Sequence, residues 1–240
     1  MATSMLSHTQ AEASMRPILD FAKDVGVTSN QSLSSFPRFK EFMQDLVKRT
    51  TSSVDRVVQN IAMSSCIVPL GNFQGMANKT TLTEALNNIA LAGGDPSVPP
   101  IFLVCITAPS LYTRRLPETD QKGGPGYSSV TPAWRDGLWH VIYVQSWPEE
   151  LDPSAVENIW EETSETMNIL RHLTPGGGAY QNEAGAFEPD PVGAFWGMDN
   201  YARLSRIKKD LDPENVLTVH QGVGWKKQDP RYTCYPKVSA

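Results

Sequence analysis

The chain has 240 residues, of which 20% are charged, and carries a formal net charge of −5 at pH 7. This length allows one large domain or two small ones, with a core that needs neither disulfides nor metal. The acidic balance and the lack of any basic run longer than a dipeptide argue against nucleic-acid binding. No apolar run approaches the ~20 residues of a membrane span.

The first half of the chain predicts three helices and two strands. Apolar residues recur at helical spacing in three segments, namely residues 9–25, 36–49 and 81–92. Residues 60–69 predict a strand that ends at Pro69. The run from Ile101 to Ile106 is continuously apolar, which is typical of a fully buried strand.

The second half predicts a loop, a strand and two helices. Residues 117–129 are rich in Pro, Gly and Ser and therefore predict a loop. Residues 137–147 predict the strongest strand, and 153–172 the best helix, with Asp152 as its N-cap. A last helix is predicted over 199–210. Separated strands among long helices predict an α+β fold with a mainly antiparallel sheet backed by helices.

Common cofactor and metal motifs are missing from the sequence. No GxGxxG or GxSxG is present, and Gly176-Gly177-Gly178 lacks the Gly-Lys-Ser/Thr that would make it a phosphate-binding loop. The three cysteines form no CxxC pair, and the four histidines share no HxxxH spacing. The sequence therefore predicts no metal site.

His140 lies within the strongest predicted strand. Strand alternation places it on one face with Leu138, Ile142 and Val144. A histidine on such an apolar face is either a hydrogen-bonded core residue or a proton acceptor whose pKa lies near working pH.

Tyr180, Asn182 and Glu183 form a dense polar set on a short stretch after the glycines. Alternation places Tyr180 and Asn182 on one face and Glu183 on the other. A phenol and an amide that project together can hydrogen-bond a planar ligand. The alternative is a solvated loop.

The C-terminal stretch from Ala179 to Trp225 carries short motifs in a specific order. They are Tyr180-x-Asn182, Phe195-Trp196-Gly197, Asn200-Tyr201-x-Arg203-Leu204, Ile207-Lys208, Asp212-Pro213-x-Asn215 and Gly222-Val223-Gly224. This succession resembles the C-terminal part of the berberine-bridge-enzyme-like FAD-linked oxidases, most closely the fungal members. Upstream, Pro132-Ala133-Trp134-Arg135 and the strand after it resemble the flavin-facing strand of the same family.

The resemblance implies an FAD-dependent oxidoreductase that oxidises a small molecule, in fungal secondary metabolism. It implies that residues 1–175 form an α+β substrate domain and that 176–240 form a segment packing on or near the flavin side. The cofactor would be FAD, contacted by Tyr180, Asn182, Asn200 and Tyr201. Family members often carry an acid on the flavin-facing strand, where this chain has Ile142. The catalytic candidates are therefore His140 and Glu183.

The resemblance includes no counterpart of the family's FAD-binding domain. The chain is therefore expected to act with a separate FAD-domain chain, or else as a flavin-free binding module, a partner subunit or a non-redox cyclase. We expect uncovered apolar or aromatic residues around Trp196, Tyr201 and Trp225, where a flavin domain would dock. The N-terminus lacks the pattern of a secretory signal, although full-length relatives are often secreted.

Overall fold

The structure is a computed structural model that describes residues 6–27, 33–51, 60–92, 100–106 and 128–235. The chain divides into two compact units, Met1–Val57 and Val58–Ala240. The boundary predicted between residues 175 and 176 stays a prediction.

Within its described residues, the first unit contains two helices, α1 (His8–Asp24) and α2 (Phe39–Thr51). Ser7 starts α1 with a capping box, because its hydroxyl accepts from the Gln10 backbone while the Gln10 side chain accepts from the Ser7 backbone. Both predicted helices are confirmed, although α2 begins three residues later than expected. None of the helices in the described ranges is long and apolar enough to cross a membrane.

The second unit is built on an antiparallel sheet in the order β1-β3-β2. Its strands are β1 (Asn60–Pro69), β2 (Ile101–Ile106) and β3 (Gly137–Trp147), all with the predicted bounds. The α+β prediction is confirmed. The predicted burial of β2 is wrong, because Ile101 is 53% and Leu103 45% exposed. Among the described strands, β2 pairs only with β3 and so forms an edge.

Helices cover one face of this sheet. They are α3 (Met76–Leu91) and α5 (Pro153–Leu173), while the short α4 (Ala133–Asp136) leads directly into β3. The main core lies between the sheet and the helices α3 and α5, and it includes Val141 and Tyr143 of β3. α3 begins five residues before the predicted start, because Gly75 takes the N-cap position at φ +75°. The loop predicted over 117–129 falls mostly outside the described residues.

The C-terminal part packs around a second, smaller core. It contains α6 (Pro191–Phe195), α7 (Met198–Leu211) and 3₁₀ turns at Gln181–Glu183 and Pro230–Tyr232. A further 3₁₀ turn, Leu70–Phe73, lies outside this part and follows β1 directly. Trp196 is buried in that core and Tyr201 packs against it. Of the aromatic residues expected to be uncovered, Trp196 is therefore buried, whereas Tyr201 and Trp225 are half-buried.

One backbone hydrogen bond joins this C-terminal part to the sheet. The amide of Ile67 in β1 donates to the carbonyl of Gly178 at 2.7 Å. A Cβ at Gly178 would lie 2.8 Å from the Ala194 carbonyl oxygen, so only glycine fits this crossing. Since Ile67 pairs with His140 in the sheet register, the crossing brings Tyr180 next to β3.

Candidate functional site

Three aromatic rings meet on the sheet face that carries His140. His140 comes from β3, Trp134 from α4, and Tyr180 from the segment that crosses β1. The ring centroids lie 5.4 Å apart for Trp134 and His140, 6.1 Å for His140 and Tyr180, and 6.2 Å for Trp134 and Tyr180, all edge to face. We call these three residues the ring cluster.

The 3₁₀ turn after Tyr180 adds two polar side chains to the ring cluster. Asn182 donates from Nδ2 to the Tyr180 hydroxyl at 3.0 Å, and Glu183 places Oε2 3.5 Å from His140 Nδ1. The prediction that Glu183 points away is wrong, because the backbone turns and the Glu183 amide donates to the Tyr180 carbonyl at 2.9 Å. The structure therefore brings Tyr180, Asn182, Glu183 and His140 together.

Burial decides the charge of His140. Its side chain is 6% exposed, and burial lowers the pKa of its imidazole. The neighbouring Glu183 carboxylate favours the charged form, but it is about one-third exposed, so water screens it. A neutral imidazole whose Nδ1–H faces a carboxylate carries its lone pair on Nε2. That Nε2 atom is buried and has no hydrogen-bond partner among the described residues.

The other two predicted cofactor residues occupy internal positions. Asn200 is buried and donates from Nδ2 to the carbonyls of Val130 at 3.0 Å and Trp196 at 2.9 Å. The Tyr201 hydroxyl accepts from the Gly224 amide at 3.3 Å. Both hydrogens of the Asn200 amide are thus engaged within the chain. Tyr180, in contrast, is 41% exposed.

Substituting Asn200 and Asn182 should distinguish the internal, structural role of the first from the exposed position of the second. We expect Asn200→Ala to lower the free energy of unfolding by about 1–3 kcal/mol, because two buried carbonyls lose their donor. Asn182→Ala should change it by less than about 0.5 kcal/mol, because its side chain is exposed. Urea denaturation of the two variants measures the difference, and equal losses would contradict the division.

A cavity of about 350 Å³ adjoins the turn. Gln181 and Ala184 of the turn segment line it, together with Met63, Phe195 and His220. Neither His140 nor Tyr180 lines it, so the cavity neighbours the ring cluster without opening onto His140 Nε2. Within the described ranges, no group of three His, Cys, Asp or Glu side chains could hold a metal ion.

Three residues near the site were not predicted from the sequence. Arg171 and Glu188 form an ion pair with Nη2 and Oε2 at 2.8 Å. Gln221 donates from Nε2 to the Ala186 carbonyl at 3.0 Å. The sequence contained one signal that could have pointed to Glu188, since a charged residue directly after Ala184-Gly185-Ala186-Phe187 needs a partner if that run is buried.

Comparison with known proteins supports the resemblance that the sequence predicts. Residues 179–224 match the family model described as Berberine and berberine like. The chain is similar to FAD-linked oxidoreductase OXR2 of Pyricularia oryzae, with 25% identity over 92% of this chain and 35% of that protein. It is also similar to FAD-linked oxidoreductase ffsJ of Aspergillus flavipes, with 28% identity over 97% of this chain and 40% of that protein. The chain therefore spans little more than a third of the length of these relatives.

Solved structures show the same fold. VAO-type flavoprotein MtVAO713 from Myceliophthora thermophila C1 superposes with a TM-score of 0.71 at 19% identity, over 91% of this chain and 36% of that one. MtVAO615 from the same organism gives a TM-score of 0.65 at 25% identity, over 91% and 37%. The family resemblance and the α+β fold predicted from the sequence are thereby confirmed.

Proposed function

We propose that this chain, which corresponds to part of a berberine-bridge-enzyme-like FAD-linked oxidase, forms the substrate-facing wall of an FAD-dependent oxidoreductase. The reaction would oxidise a small molecule, in fungal secondary metabolism as the sequence resemblance implies. The observation that carries the proposal is the ring cluster, in which a buried histidine with a free Nε2 stands beside a carboxylate.

The residues on this face fit a flavin only in part. Tyr180 and Asn182 fit, because both are exposed and Asn182 keeps one amide hydrogen and its carbonyl oxygen for a planar ligand. Asn200 does not fit, because both of its amide hydrogens are engaged inside the chain. We therefore assign the flavin contacts of this chain to Tyr180 and Asn182. When bound, the flavin would supply the hydride acceptor.

The chain's own residues would handle the proton. His140 Nε2 is the proton acceptor for a substrate hydroxyl or amine, since its lowered pKa keeps it neutral at pH 7. Glu183 holds the Nδ1–H and stabilises the imidazolium once Nε2 has taken the proton. Trp134 and Tyr180 exclude water from Nε2. Because Tyr180 is partly exposed, its ring is the one that can move aside to admit substrate.

Exposed apolar side chains close together in sequence support the presence of a flavin-binding partner. They are Leu211, Val216, Leu217 and Val219, which are between 62% and 82% exposed. Large exposed apolar surfaces often mark contacts with another protein surface. We propose that the flavin-binding part, in the same polypeptide or in a separate chain, covers these side chains. A partner subunit is therefore the second candidate function.

Binding of FAD to the 240-residue chain tests the proposal directly. In ¹H–¹⁵N NMR spectra we expect millimolar FAD to shift the Asn182 side-chain amide and the Glu183 backbone amide, because these groups border the flavin face. ADP, which lacks the isoalloxazine ring, should not shift them. The Asn182→Ala variant should weaken the response by about tenfold, as expected for about 1.4 kcal/mol.

Two outcomes would overturn the flavin assignment. Shifts confined to residues away from 180–183, or equal shifts with ADP and FAD, would show that the turn does not recognise a flavin. A chain whose spectra do not respond to FAD at all would favour the flavin-free binding module.

A further inference from the structure

The segment that follows Glu183 is anchored at its far end by a buried ion pair. Arg171, in the last turn of α5, donates from Nη2 to Glu188 Oε2 and to the Ser64 hydroxyl, both at 2.8 Å. Its Nη1 donates to the Ser164 carbonyl at 3.2 Å and to Asn168 Oδ1 at 2.8 Å. The guanidinium thus makes four hydrogen bonds, which tie it to α5, to β1 and to Glu188. Because the guanidinium is held in place, it also fixes the position of the Glu188 carboxylate.

Gln221 anchors the same segment from the C-terminal part of the chain. Its Nε2 donates to the carbonyls of Ala186 at 3.0 Å and Glu188 at 3.4 Å. Gln221 is buried and has φ +55°, a left-handed backbone conformation that is unfavourable for a residue with a side chain. The backbone holds this unfavourable conformation at the point where the side chain reaches the segment.

The path from these anchors to Glu183 is short and closely packed. Gly185 passes over β1 so closely that an added Cβ would lie 3.1 Å from the Ser64 hydroxyl, which also binds Arg171. The Glu188 amide donates to the Gly185 carbonyl at 3.1 Å. Only Ala184 separates Gly185 from Glu183, so the anchored segment fixes the backbone position of Glu183.

Glu183 depends on this support, because its own contacts are weak. Its side chain is about one-third exposed and lies 3.5 Å from His140 Nδ1, longer than a normal hydrogen bond. Holding a long glutamate side chain in one rotamer costs conformational entropy. One long contact does not offset that cost by itself.

We propose that Arg171, Glu188 and Gln221 are positioning residues that hold segment 184–188 so that Glu183 stays against His140. This inference rests on the proposed function of the His140–Glu183 pair. The hydrogen bonds described for the three residues do not include His140, so we infer that they act through Glu183. They form one unit, because Gln221 binds the backbone of the same Glu188 whose side chain binds Arg171.

The test uses the 240-residue chain without flavin and the variants Gln221→Ala and Glu188→Gln. Hydrogen exchange of the Glu183 amide reports whether the turn stays closed, and the ¹⁵N shifts of the His140 ring report its tautomer. We expect either substitution to raise exchange at Glu183 about tenfold or more, the effect of losing about 1.4 kcal/mol. The His140 ring shifts should move toward those of a Glu183→Gln variant.

The amides of Val141 and Tyr143 in β3 and a Gln228→Ala variant serve as controls. Gln228 is an exposed glutamine in the same C-terminal part, so its removal should leave exchange at Glu183 unchanged. A rise of the same size in β3 would show a general loss of stability and overturn the positioning role. Unchanged exchange and ring shifts in both anchor variants would overturn it as well. Because flavin is absent, this result is independent of the FAD titration.

Discussion

Replacing Glu188 with alanine is expected to lower the free energy of unfolding by about 3–5 kcal/mol, the usual cost of removing one partner of a buried ion pair. Both side chains are largely buried, with 5% of Glu188 and 16% of Arg171 exposed. Burial raises the pKa of Glu188, and Arg171 only partly offsets it. Each buried charge is therefore stabilised mainly by the opposite charge of its partner. Urea denaturation at pH 7 gives the loss.

Two further variants decide whether the unpaired charge is the cause. Glu165 is exposed on α5, so Glu165→Ala should change the free energy of unfolding by less than about 0.5 kcal/mol. The double substitution Arg171→Met with Glu188→Leu should recover most of the loss, because apolar groups of similar volume can replace a buried pair. A double variant as unstable as Glu188→Ala would instead indicate that the hydrogen bonds of Arg171 to Ser64 and Ser164 matter more.

The sheet could be predicted from the sequence because its strands are set by local patterns. The β1 segment carries β-branched residues and the β3 segment both β-branched and aromatic ones, and the two have clear ends, such as Pro69 and Gly137. The exposure of β2 could not be predicted, since a continuous apolar run looks the same at the centre and at the edge of a sheet. The early start of α3 depends on the positive φ of Gly75, which the sequence permits but does not require.

The site was predictable where neighbours in sequence carry it, and not where distant segments meet. Tyr180 and Asn182 are two residues apart and bond each other. The side taken by Glu183 was mispredicted, because alternation assumes an extended strand and the backbone forms a 3₁₀ turn. Gln221 lies 33 residues from Glu188, which it binds. No periodicity links such positions, so only the folded chain shows that they hold one segment.

Acid should reduce the stability that His140 contributes. Burial lowers its pKa in the folded chain below the value of about 6.5 expected when unfolded. As pH falls below 6.5, the unfolded chain takes up the proton before the folded chain does, so the contribution of His140 is present above 6.5 and is lost toward the lower folded pKa. The destabilisation caused by His140→Gln should therefore be larger at pH 7 than at pH 5.

Comparing His140→Gln with the wild type cancels the contributions of the other titrating groups. Burial also lowers the pKa of His220 and raises that of Glu188, and both act in the wild type and in His140→Gln alike. Denaturant unfolding of the two proteins from pH 7 to pH 5 gives the difference, with a slope of at most about 1.4 kcal/mol per pH unit for one proton.

The sign of that slope shows which interaction controls the proposed proton acceptor. If the Glu183 carboxylate outweighed burial, the folded pKa of His140 would be raised, and the cost of His140→Gln would grow as the pH falls. A cost that shrinks in acid shows that burial dominates, as required for an imidazole that is neutral at pH 7 and able to accept a proton at Nε2. The Glu183→Gln variant completes the test. Without the Glu183 carboxylate beside it, the folded pKa of His140 should fall further. The cost of His140→Gln should then begin to shrink at the same pH, near the unfolded pKa of about 6.5, but the shrinkage should extend to lower pH and become larger.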